Sequence, residues 1–388
     1  MLTLIEIILW FSIAVIFYTY LGYPLLLNLL SKFLQKPVNK KQIFPTVTIV
    51  IAVHNEEKVL ERRIINCLSL NYPGNKIEII IISDGSTDKT NEIVKSFAKQ
   101  KVKLVHYPIR MGKAYALNKS IIHVTGEIVV FTDSRQVFDK DAIKEIVANF
   151  NDPMVGAVSG ELHLKDESKT SVGQGVTVYW EYEKYIRKHE SKINSTVGAT
   201  GAIYAIRKEL FAPIPESTIL DDFVIPMRIV QMGYRVIFEP RAKAYDEVFG
   251  KSTQEFTRKV RTLAGNFQAF LLIPDLFNPF RTKVAFQLFS HKFLRLVVPY
   301  LMLLIFIINF FLISQPLYMV TFALQLLFLL SALLGLFYQR KKSNLKRNHR
   351  ISKICYTFSL LNFAAVVGCW RFARKSQNVV WKKGLETG

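Results

Sequence analysis

The stretch Ile77–Ile82 reads IEIIII and runs directly into the polar sequence SDGSTD of residues 83–88. Three further apolar stretches have the same character, namely Val47–Val53, Val102–His106 and Glu127–Thr132. A continuous run rich in β-branched residues predicts a strand that is buried on both faces, as in α/β proteins. Helical segments between these runs predict right-handed crossovers and a mostly parallel sheet.

The segments between the strands have the periodicity of helices, over Asn55–Leu70, Asp88–Lys99 and Lys113–Val124. After Pro153 the strict alternation of strand and helix ends. The second half is predicted to contain three shorter strands and two helices, over Val155–Val158, Gly201–Ile206, Arg235–Glu239, Thr177–Ser191 and Asp222–Met232.

Acidic residues stand at or near strand ends, at Asp84, at Asp133 and at the pair Asp221-Asp222. The dipeptide Gly112-Lys113 lies between the first two of these positions. The carboxyl ends of parallel strands meet at the crevice where such sheets bind ligands. Carboxylates accept hydrogen bonds from hydroxyl groups, and a lysine beside a glycine can approach phosphates. The pattern therefore predicts a ligand that carries both hydroxyls and phosphates, such as a nucleotide-sugar.

Long apolar runs lie at both ends of the chain. Ile7–Leu30 has no charged residue over 24 positions, which is enough for a helix to cross a bilayer core of about 30 Å. Leu296–Ile313 and Leu317–Tyr338 are two more such runs, and Ile354–Trp370 is a shorter one. The sequence therefore predicts three membrane spans and a fourth segment that either spans the membrane or lies at its surface.

The charges around the first span predict its orientation. Glu6 precedes it, no Lys or Arg does, and Lys32, Lys36, Lys40 and Lys41 follow it. The positive-inside rule then places the large middle region in the cytoplasm of a multi-pass protein of a bacterial inner membrane. A fourth span would place the basic C-terminal residues outside, against that rule, whereas an interfacial last segment would keep them inside.

The formal net charge is +21, with 51 Lys and Arg against 30 Asp and Glu. Much of the excess flanks apolar runs, as in the basic stretch 340–353, where positive-inside flanks and anionic lipid explain it. No nucleic-acid-binding motif is present, so no nucleic-acid partner is predicted. Three cysteines without close spacing predict neither a disulfide framework nor a metal site built on thiolates.

The order of these motifs resembles the family 2 glycosyltransferases, which have a GT-A nucleotide-sugar fold. The resemblance covers Pro45 to about Gln268 and is closest to membrane-embedded enzymes: cellulose, hyaluronan and poly-N-acetylglucosamine synthases and ceramide glucosyltransferases. It implies an α/β GT-A domain flanked by transmembrane helices. It also implies a set of donor-binding positions, which are Ala52, Val53, Asn55, Glu56, Asp84, Gly112, Lys113, Asp133 and Arg135.

Within this resemblance the sequence SDGSTD stands where the family has DDGSxD, so Ser83 replaces the first acid. Asp84 is then expected to accept a hydrogen bond from the uracil imide N–H of a UDP-sugar. Backbone atoms near Ala52 and Val53 would wrap the base. Each motif also has an ordinary structural explanation, since Asp84-Gly85 suits a turn and the acids after Val53 suit a helix start.

The segment TDSR of residues 132–135 resembles the DxD motif, whose acids contact the ribose and a divalent cation. Here Arg135 occupies the position of the second acid. The resemblance implies that Asp133 binds the ribose or a Mg²⁺ or Mn²⁺ ion. The arginine predicts weaker metal binding, with Arg135 supplying part of the positive charge, while retention of the metal by Asp133 and a later acid such as Asp246 stays open.

The pair Asp221-Asp222 resembles the family's ED element, which makes Asp222 the expected general base. Adjacent carboxylates repel, which can raise the pKa of one of them, although the pair also suits a helix N-terminus. Arg258 and Arg261 match the (Q/R)xxRW motif and would bind the leaving diphosphate. Thr262 stands in place of the tryptophan that helps processive synthases hold their acceptor, which argues against polymer synthesis.

The sequence thus divides into five predicted parts: an N-terminal membrane helix (1–31), a GT-A domain (45–250), interfacial helices (251–292), C-terminal membrane helices (293–374) and a basic tail (375–388). The expected activity is inverting transfer of a sugar to a lipid-linked or other membrane-associated acceptor in glycolipid or polysaccharide synthesis. A processive synthase with its own channel and a degenerate scaffold subunit are the alternatives. Membrane lipids, and a flippase or export protein, are the further expected partners.

Overall fold

The computed structural model describes residues 3–165, 171–247, 252–340 and 350–377. Within these residues eight strands form one sheet, with the order β3-β2-β1-β4-β7-β6-β8-β5. Their bounds are β1 Val47–Val53, β2 Ile77–Asp84, β3 Val102–Tyr107, β4 Ile128–Thr132, β5 Val137–Phe138, β6 Val155–Lys165, β7 Tyr204–Arg207 and β8 Arg235–Glu247.

The helices fall into a set that accompanies the sheet and an apolar set. The first contains α3 Leu60–Leu68, α4 Thr90–Ser96, α5 Lys113–Ser120, α6 Ala142–Val147, α7 Ser171–Ile193, α8 Asp221–Gln231 and α9 Ser252–Leu272. The second contains α1 Leu4–Phe17, α2 Tyr23–Phe33, α10 Ala285–Gln287, α11 Leu294–Phe311, α12 Pro316–Arg340 and α13 Arg350–Ala373. Two π-helical segments, Tyr18–Gly22 and Leu288–Phe293, make α1–α2 and α10–α11 continuous.

The first four α/β units of the sheet bring the predicted acidic positions together. β1 pairs in parallel with β2 and with β4, so that Ile51 lies between Ile81 and Thr132. Asp84 ends β2, and Asp133 follows β4 directly. The parallel register therefore places both carboxylates at the same edge, which is the edge where such sheets bind ligands.

The sheet is mixed rather than wholly parallel. β7 runs antiparallel between β4 and β6, and the short β5 runs antiparallel to β8. The four pairings of β1 with β2 and β4, of β2 with β3 and of β6 with β8 are parallel, so the expectation of a mostly parallel sheet is confirmed. β6 and β8 are longer than predicted because they pair with one another up to Lys165 and Glu247.

The core has two layers, one on each face of the sheet. Alternate residues of β1 divide between them: Ile49 and Ile51 face one layer and Val50 and Ala52 face the other. All seven residues of β1 are buried. This confirms the interpretation of the apolar runs as strands without a solvent-exposed face.

Two predicted helices begin later in the structure. The helix expected from Asn55 starts at Leu60, because Asn55 has a φ of 54° and a left-handed residue cannot continue a right-handed helix. The helix expected from Asp88 starts at Thr90, whose backbone N–H donates to Oδ1 of Asp88 at 3.0 Å. The elements β5 and α6 have no counterpart in the prediction.

Four helices of the described residues are long and apolar enough to cross a membrane: Leu4–Phe33, Ala285–Phe311, Pro316–Tyr338 and Ile351–Ala373. The fourth predicted segment is therefore as helical as the other three. α9, predicted as an amphipathic surface helix, packs against α13, where Gly368 allows close approach to Ala264. The basic segment 341–349 and the tail 378–388 lie outside the described residues.

Candidate active site

A cleft opens at the carboxyl edge of β1 and β2. Its lining residues come from the end of β1, the end of β2 and the loop before α5, and are Ala52, Val53, His54, Asp84, Arg110, Gly112 and Lys113. Five of the predicted donor-binding residues are among them. The parallel register of β1 and β2 explains why the ends of the two strands, about thirty residues apart in sequence, meet here.

Asp84 holds the loop before α5. The backbone N–H groups of Met111 and Gly112 donate to its two carboxylate oxygens, each at 2.7 Å. Gly85 next to it has a φ of 66°, and a Cβ there would lie 2.7 Å from the backbone nitrogen of Arg110. A carboxylate has about four lone-pair sites, so Asp84 keeps acceptor capacity for a ligand while fixing the loop.

The turn after β1 is tied to the turn after β2. Asn55 donates from its backbone N–H to Oγ of Ser86 at 3.1 Å and accepts at Oδ1 from the backbone N–H of Thr87 at 2.8 Å. The backbone N–H of Glu56 donates to Oγ1 of Thr90 at 2.8 Å. Asn55 and Glu56 therefore tie the turn after β1 to the segment that follows Asp84, although neither is among the residues that line the cleft.

Lys113 is the centre of a buried ion-pair network. Its Nζ lies 2.8 Å from Oδ1 of Asp133 and 3.3 Å from Oδ2 of Asp221. Burial disfavours the charged ammonium, but the two carboxylates outweigh burial and raise the pKa of Lys113. Burial likewise acts to raise the pKa of Asp133, and Lys113, Arg135 and Arg261 overcome it and hold that pKa below its usual range.

Asp222 differs from its neighbours because Lys113 compensates its charge only in part. Burial, followed by repulsion from Asp221, raises its pKa to about 6. Its Oδ2 accepts a 2.8 Å hydrogen bond from the backbone N–H of Gly201. A Cβ at Gly201 would lie 3.2 Å from Oδ2 of Asp222 and 3.8 Å from Oδ2 of Asp133, so this glycine separates the two carboxylates.

Helix α9 lies between the site and the apolar helix α13. Arg261 donates to the carbonyl oxygen of Ile219 at 3.2 Å, and its charge contributes to lowering the pKa of Asp133. Gln268 accepts from the backbone N–H of Ile219 at 2.9 Å and so fixes the segment that leads into Asp221. Arg258 forms an ion pair with Glu255, at 3.4 Å between Nε and Oε2, one turn away on the same helix.

The residues present offer one oxygen to a divalent cation. Oδ1 of Asp133 is held by Lys113, and Oδ2 has no hydrogen bond within the described part of the chain. Arg135, which is exposed between two buried residues, occupies the place of a second acid, and no group of three His, Cys, Asp or Glu side chains assembles among the described residues. A Mg²⁺ ion bound mainly by substrate phosphates needs only one or two carboxylates, so Asp133 fits such an ion weakly.

Several residues of the site had no clear signal in the sequence. Gly201 was predicted only as the start of a strand, yet its N–H holds Asp222. Tyr204 donates its hydroxyl to Oδ2 of Asp221 at 3.3 Å. Arg63 lies 1% exposed under Asp133 and donates from Nη2 to Oγ1 of Thr132 at 3.0 Å. A helical arginine on an otherwise apolar face was the one available hint of this buried cation.

Comparison with known proteins identifies the domain that carries this site. Residues 48–214 match the family model described as Glycosyl transferase family 2. This part of the chain resembles a family 2 glycosyltransferase domain. The chain is 25% identical over 268 residues to the "Probable glycosyltransferase YdaM" of Bacillus subtilis (strain 168), and the alignment covers 66% of this chain and 63% of that one. The resemblance seen in the motifs is therefore confirmed.

A second relative of this chain is the "Poly-beta-1,6-N-acetyl-D-glucosamine synthase" of Staphylococcus epidermidis, which is 28% identical over 243 residues. The alignment covers 61% of this chain and 58% of the synthase. The matches thus span about three fifths of the length of these relatives.

A solved structure confirms the fold. The mannosyltransferase PcManGT of Pyrobaculum calidifontis, solved in complex with GDP-Man and Mn²⁺, superposes with a TM-score of 0.72 at 23% sequence identity. The superposition covers 95% of this chain and 99% of that chain, so it includes the apolar helices as well as the catalytic domain. The predicted GT-A domain with flanking apolar helices is the observed architecture.

Proposed function

We propose that this glycosyltransferase moves a sugar with inversion from a UDP-sugar to a hydroxyl of a lipid-linked or other membrane-associated acceptor. The observation that carries the proposal is Asp222, whose pKa of about 6 and fixed position beside Asp133 and Lys113 suit a general base. A carboxylate with a pKa near the working pH is largely ionised and still a stronger base than an exposed aspartate.

In the proposed step Asp222 removes the proton from the acceptor hydroxyl while the hydroxyl oxygen forms a bond to C1 of the sugar. The bond between C1 and the diphosphate oxygen breaks, and its electron pair leaves with the nucleoside diphosphate. Lys113 and Arg261 would stabilise the negative charge that develops on the leaving group. Asp84, together with Ala52 and Val53, forms the wall of the cleft that would hold the nucleobase of the donor.

A divalent cation, Mg²⁺ or Mn²⁺, would be held by Oδ2 of Asp133 and would neutralise charge on the donor diphosphate. Arg135 and Lys113 already place positive charge around this carboxylate, so the binding is proposed to be weak. The negative charge of the donor diphosphate would therefore be neutralised partly by these side chains and partly by the metal.

The proposed acceptor follows from the surroundings of α9. This helix joins the site to α13, one of the four helices that can span a membrane, so an acceptor emerging from the lipid would reach Asp222 along it. Thr262 donates its hydroxyl to the carbonyl oxygen of Arg258 at 3.0 Å and offers no aromatic surface to a growing polymer. Transfer of a single sugar is therefore favoured over processive synthesis.

The proposed location is a bacterial inner membrane, with the catalytic domain on the cytoplasmic side, where nucleotide-sugars are made. The lysines after the first span support this orientation. A product built on a lipid at this face would need a flippase or export protein as its next partner.

The substitution Asp222→Asn tests the assignment of the base. It should lower kcat by about 10³-fold, because a positioned general base typically contributes about 10²–10⁴-fold. Donor binding should stay intact, since an amide oxygen can still accept from the N–H of Gly201. Turnover of several nucleotide-sugars by purified full-length protein with membrane lipid extract, and UDP affinity by calorimetry, measure both quantities. Near-normal turnover in the variant would refute the role of Asp222.

The metal proposal is tested by titrating activity with Mn²⁺ and Mg²⁺ after treatment with EDTA. The wild-type protein should need a high metal concentration, and Arg135→Asp should lower the half-saturating concentration by about tenfold because it restores a second carboxylate ligand. Full activity of the wild-type protein in EDTA would contradict the part given to the metal.

A further inference from the structure

A second group of buried charges lies away from the catalytic site, where α7 and α9 meet the helices Leu4–Phe33 and Ala285–Phe311. It contains four basic side chains, which we call the cation cluster: Arg187, Lys259, Lys292 and Arg295. None of these residues is used in the proposed reaction. Buried charges are retained at a large cost in desolvation, which makes their arrangement informative.

Glu183 is the acid that the cluster shares. Arg295 and Lys292 form ion pairs with it, the latter at 3.6 Å, and Nε2 of His291 lies 3.2 Å from its Oε2. Burial alone would raise the pKa of Glu183, but Arg295 and the other cations outweigh burial and hold it well below its usual range. One carboxylate is therefore already saturated with positive partners.

Glu190, the other nearby acid, is occupied elsewhere. Its Oε1 lies 2.9 Å from Nδ1 of His291 and accepts from the hydroxyl of Tyr23 at 2.7 Å. Its Oε2 accepts from the backbone N–H of Val197 at 3.2 Å. These partners occupy Glu190, and no ion pair joins it to Arg187 or Lys259 among the described residues. Glu255 and Glu183 partly compensate Lys259, whereas Arg187 has no such partner in the described ranges.

Arg187 is the decisive residue. It is 8% exposed, and neither a salt bridge nor a hydrogen bond to it is found in the described ranges. An arginine cannot lose its proton in a protein, so burial cannot neutralise it as it could a lysine or a histidine. Lys259 shows the contrast, because burial lowers its pKa to about 8 and its Nζ lies 4.1 Å from the centre of the Tyr179 ring.

Donors without acceptors gather in the same place. Among the described residues the buried nitrogens that lack a hydrogen-bond partner include Nε1 of Trp180, Nε of Arg187, and Nε and Nη2 of Arg295. Each is an obligate donor, since neither an indole nor a guanidinium can accept. A positive cluster whose unsatisfied atoms are all donors is complementary to an anion with several acceptor oxygens.

We infer that the cation cluster, with Arg187 at its centre, binds the phosphate group of a membrane lipid. The position favours a lipid over a free ion, because Lys292 and Arg295 lie near the start of a helix that can span the membrane and Arg187 lies on the domain side of it. The phosphate would supply acceptor oxygens to the guanidinium groups and offset the excess positive charge. The site is independent of the sugar donor.

The test uses the full-length protein, stripped of lipid in an uncharged detergent. Thermal unfolding is followed on addition of phosphatidylglycerol, of diacylglycerol with the same chains, and of inorganic phosphate. Phosphatidylglycerol at about 100 times its Kd should raise the unfolding midpoint by about 5 °C, whereas diacylglycerol should not. Native mass spectrometry should show the phospholipid bound. An equal shift with inorganic phosphate alone would overturn the assignment to a lipid.

Arg187→Gln and Lys188→Gln form a matched pair, because both remove one positive charge from α7 and Lys188 is exposed. Arg187→Gln should reduce the affinity for phosphatidylglycerol by about tenfold or more, Lys188→Gln should leave it unchanged, and Arg187→Lys should retain part of it. Without lipid, Arg187→Gln should be at least as stable as the wild type, since an uncompensated charge is removed. A destabilised Arg187→Gln with unchanged lipid affinity would show that Arg187 is only structural and would refute the proposal.

Discussion

The catalytic site and the cation cluster handle buried charge in opposite ways. Around Lys113 three aspartates share one ammonium, and the surplus acid is Asp222. Around Glu183 several cations share one carboxylate, and the cation left without a carboxylate partner is Arg187. A surplus carboxylate can take up a proton, which is what a general base does. A surplus guanidinium cannot lose its proton, so an anion from outside the chain is needed to compensate its charge.

A large effect, close to that of Asp222→Asn, should come from removing the shared cation of the acidic site. Lys113→Met should reduce kcat/KM by about 10²–10³-fold, because the donor diphosphate loses a charge and Asp133 and Asp221 are left to repel each other. Lys119→Met, on the exposed side of the same helix, is the control and should keep full activity. Steady-state kinetics with a saturating acceptor measures the change. Retention of activity in Lys113→Met would show that the network is purely structural.

The pH dependence of stability should separate the two surplus groups. A carboxyl whose pKa is raised from 3.8 to about 6 in the folded state loses stability as pH rises from 3.8 to 6. Asp222→Asn should therefore be equal in stability to wild type at low pH and gain up to about 3 kcal/mol above pH 6. The effect of Arg187→Gln should not vary over this range. Thermal unfolding between pH 4 and 8 tests both, and a flat difference for Asp222→Asn would contradict its raised pKa.

Activity should follow the same titration. The kcat of the wild-type protein should rise about tenfold per pH unit below the pKa of about 6 and then level off, because only the ionised Asp222 can accept a proton.

A smaller effect is expected from the glycine that holds the base. Gly201→Ala places a Cβ 3.2 Å from Oδ2 of Asp222, which must then shift by a few tenths of an ångström. The expected loss in kcat is about tenfold, since misplacement by 1 Å can cost about 10²-fold. Gly74→Ala is the control, because no heavy atom lies within 4 Å of its Cβ position. Equal kcat in both variants would show that the position of Asp222 is not critical.

Much of the fold follows from local pattern. The β-branched runs predicted the bounds of β1 and β4 to within one residue, because a strand buried on both faces has an unbroken apolar sequence. β5 was missed because it has only two residues, Val137 and Phe138. The extension of β6 and β8 was missed because it depends on their pairing with each other, and a partner strand is invisible in a local window.

The side chains of the site that directly follow strands could be predicted from the sequence. The backbone groups that hold these side chains could not. Asp84, Lys113 and Asp133 converge as expected from the carboxyl edge of a parallel sheet. The N–H of Gly201 could not be foreseen, because its proximity to Asp222 arises from the fold of two segments rather than from residue type. Arg187 was hidden among the many charged residues of α7, and its burial alone distinguishes it from exposed Lys188.

The π-helical segment Tyr18–Gly22 gives the first apolar helix more than an anchoring role. It leads into Tyr23 and Leu27, which pack with Ile186 of α7, and the hydroxyl of Tyr182 donates to the carbonyl oxygen of Tyr20 at 2.9 Å. A catalytic fragment that starts after Phe33 would expose this apolar surface and strip Glu190 of the hydroxyl of Tyr23. The first helix thus contributes to the interior of the protein, and water-soluble truncations that omit it should aggregate or lose the packing around α7.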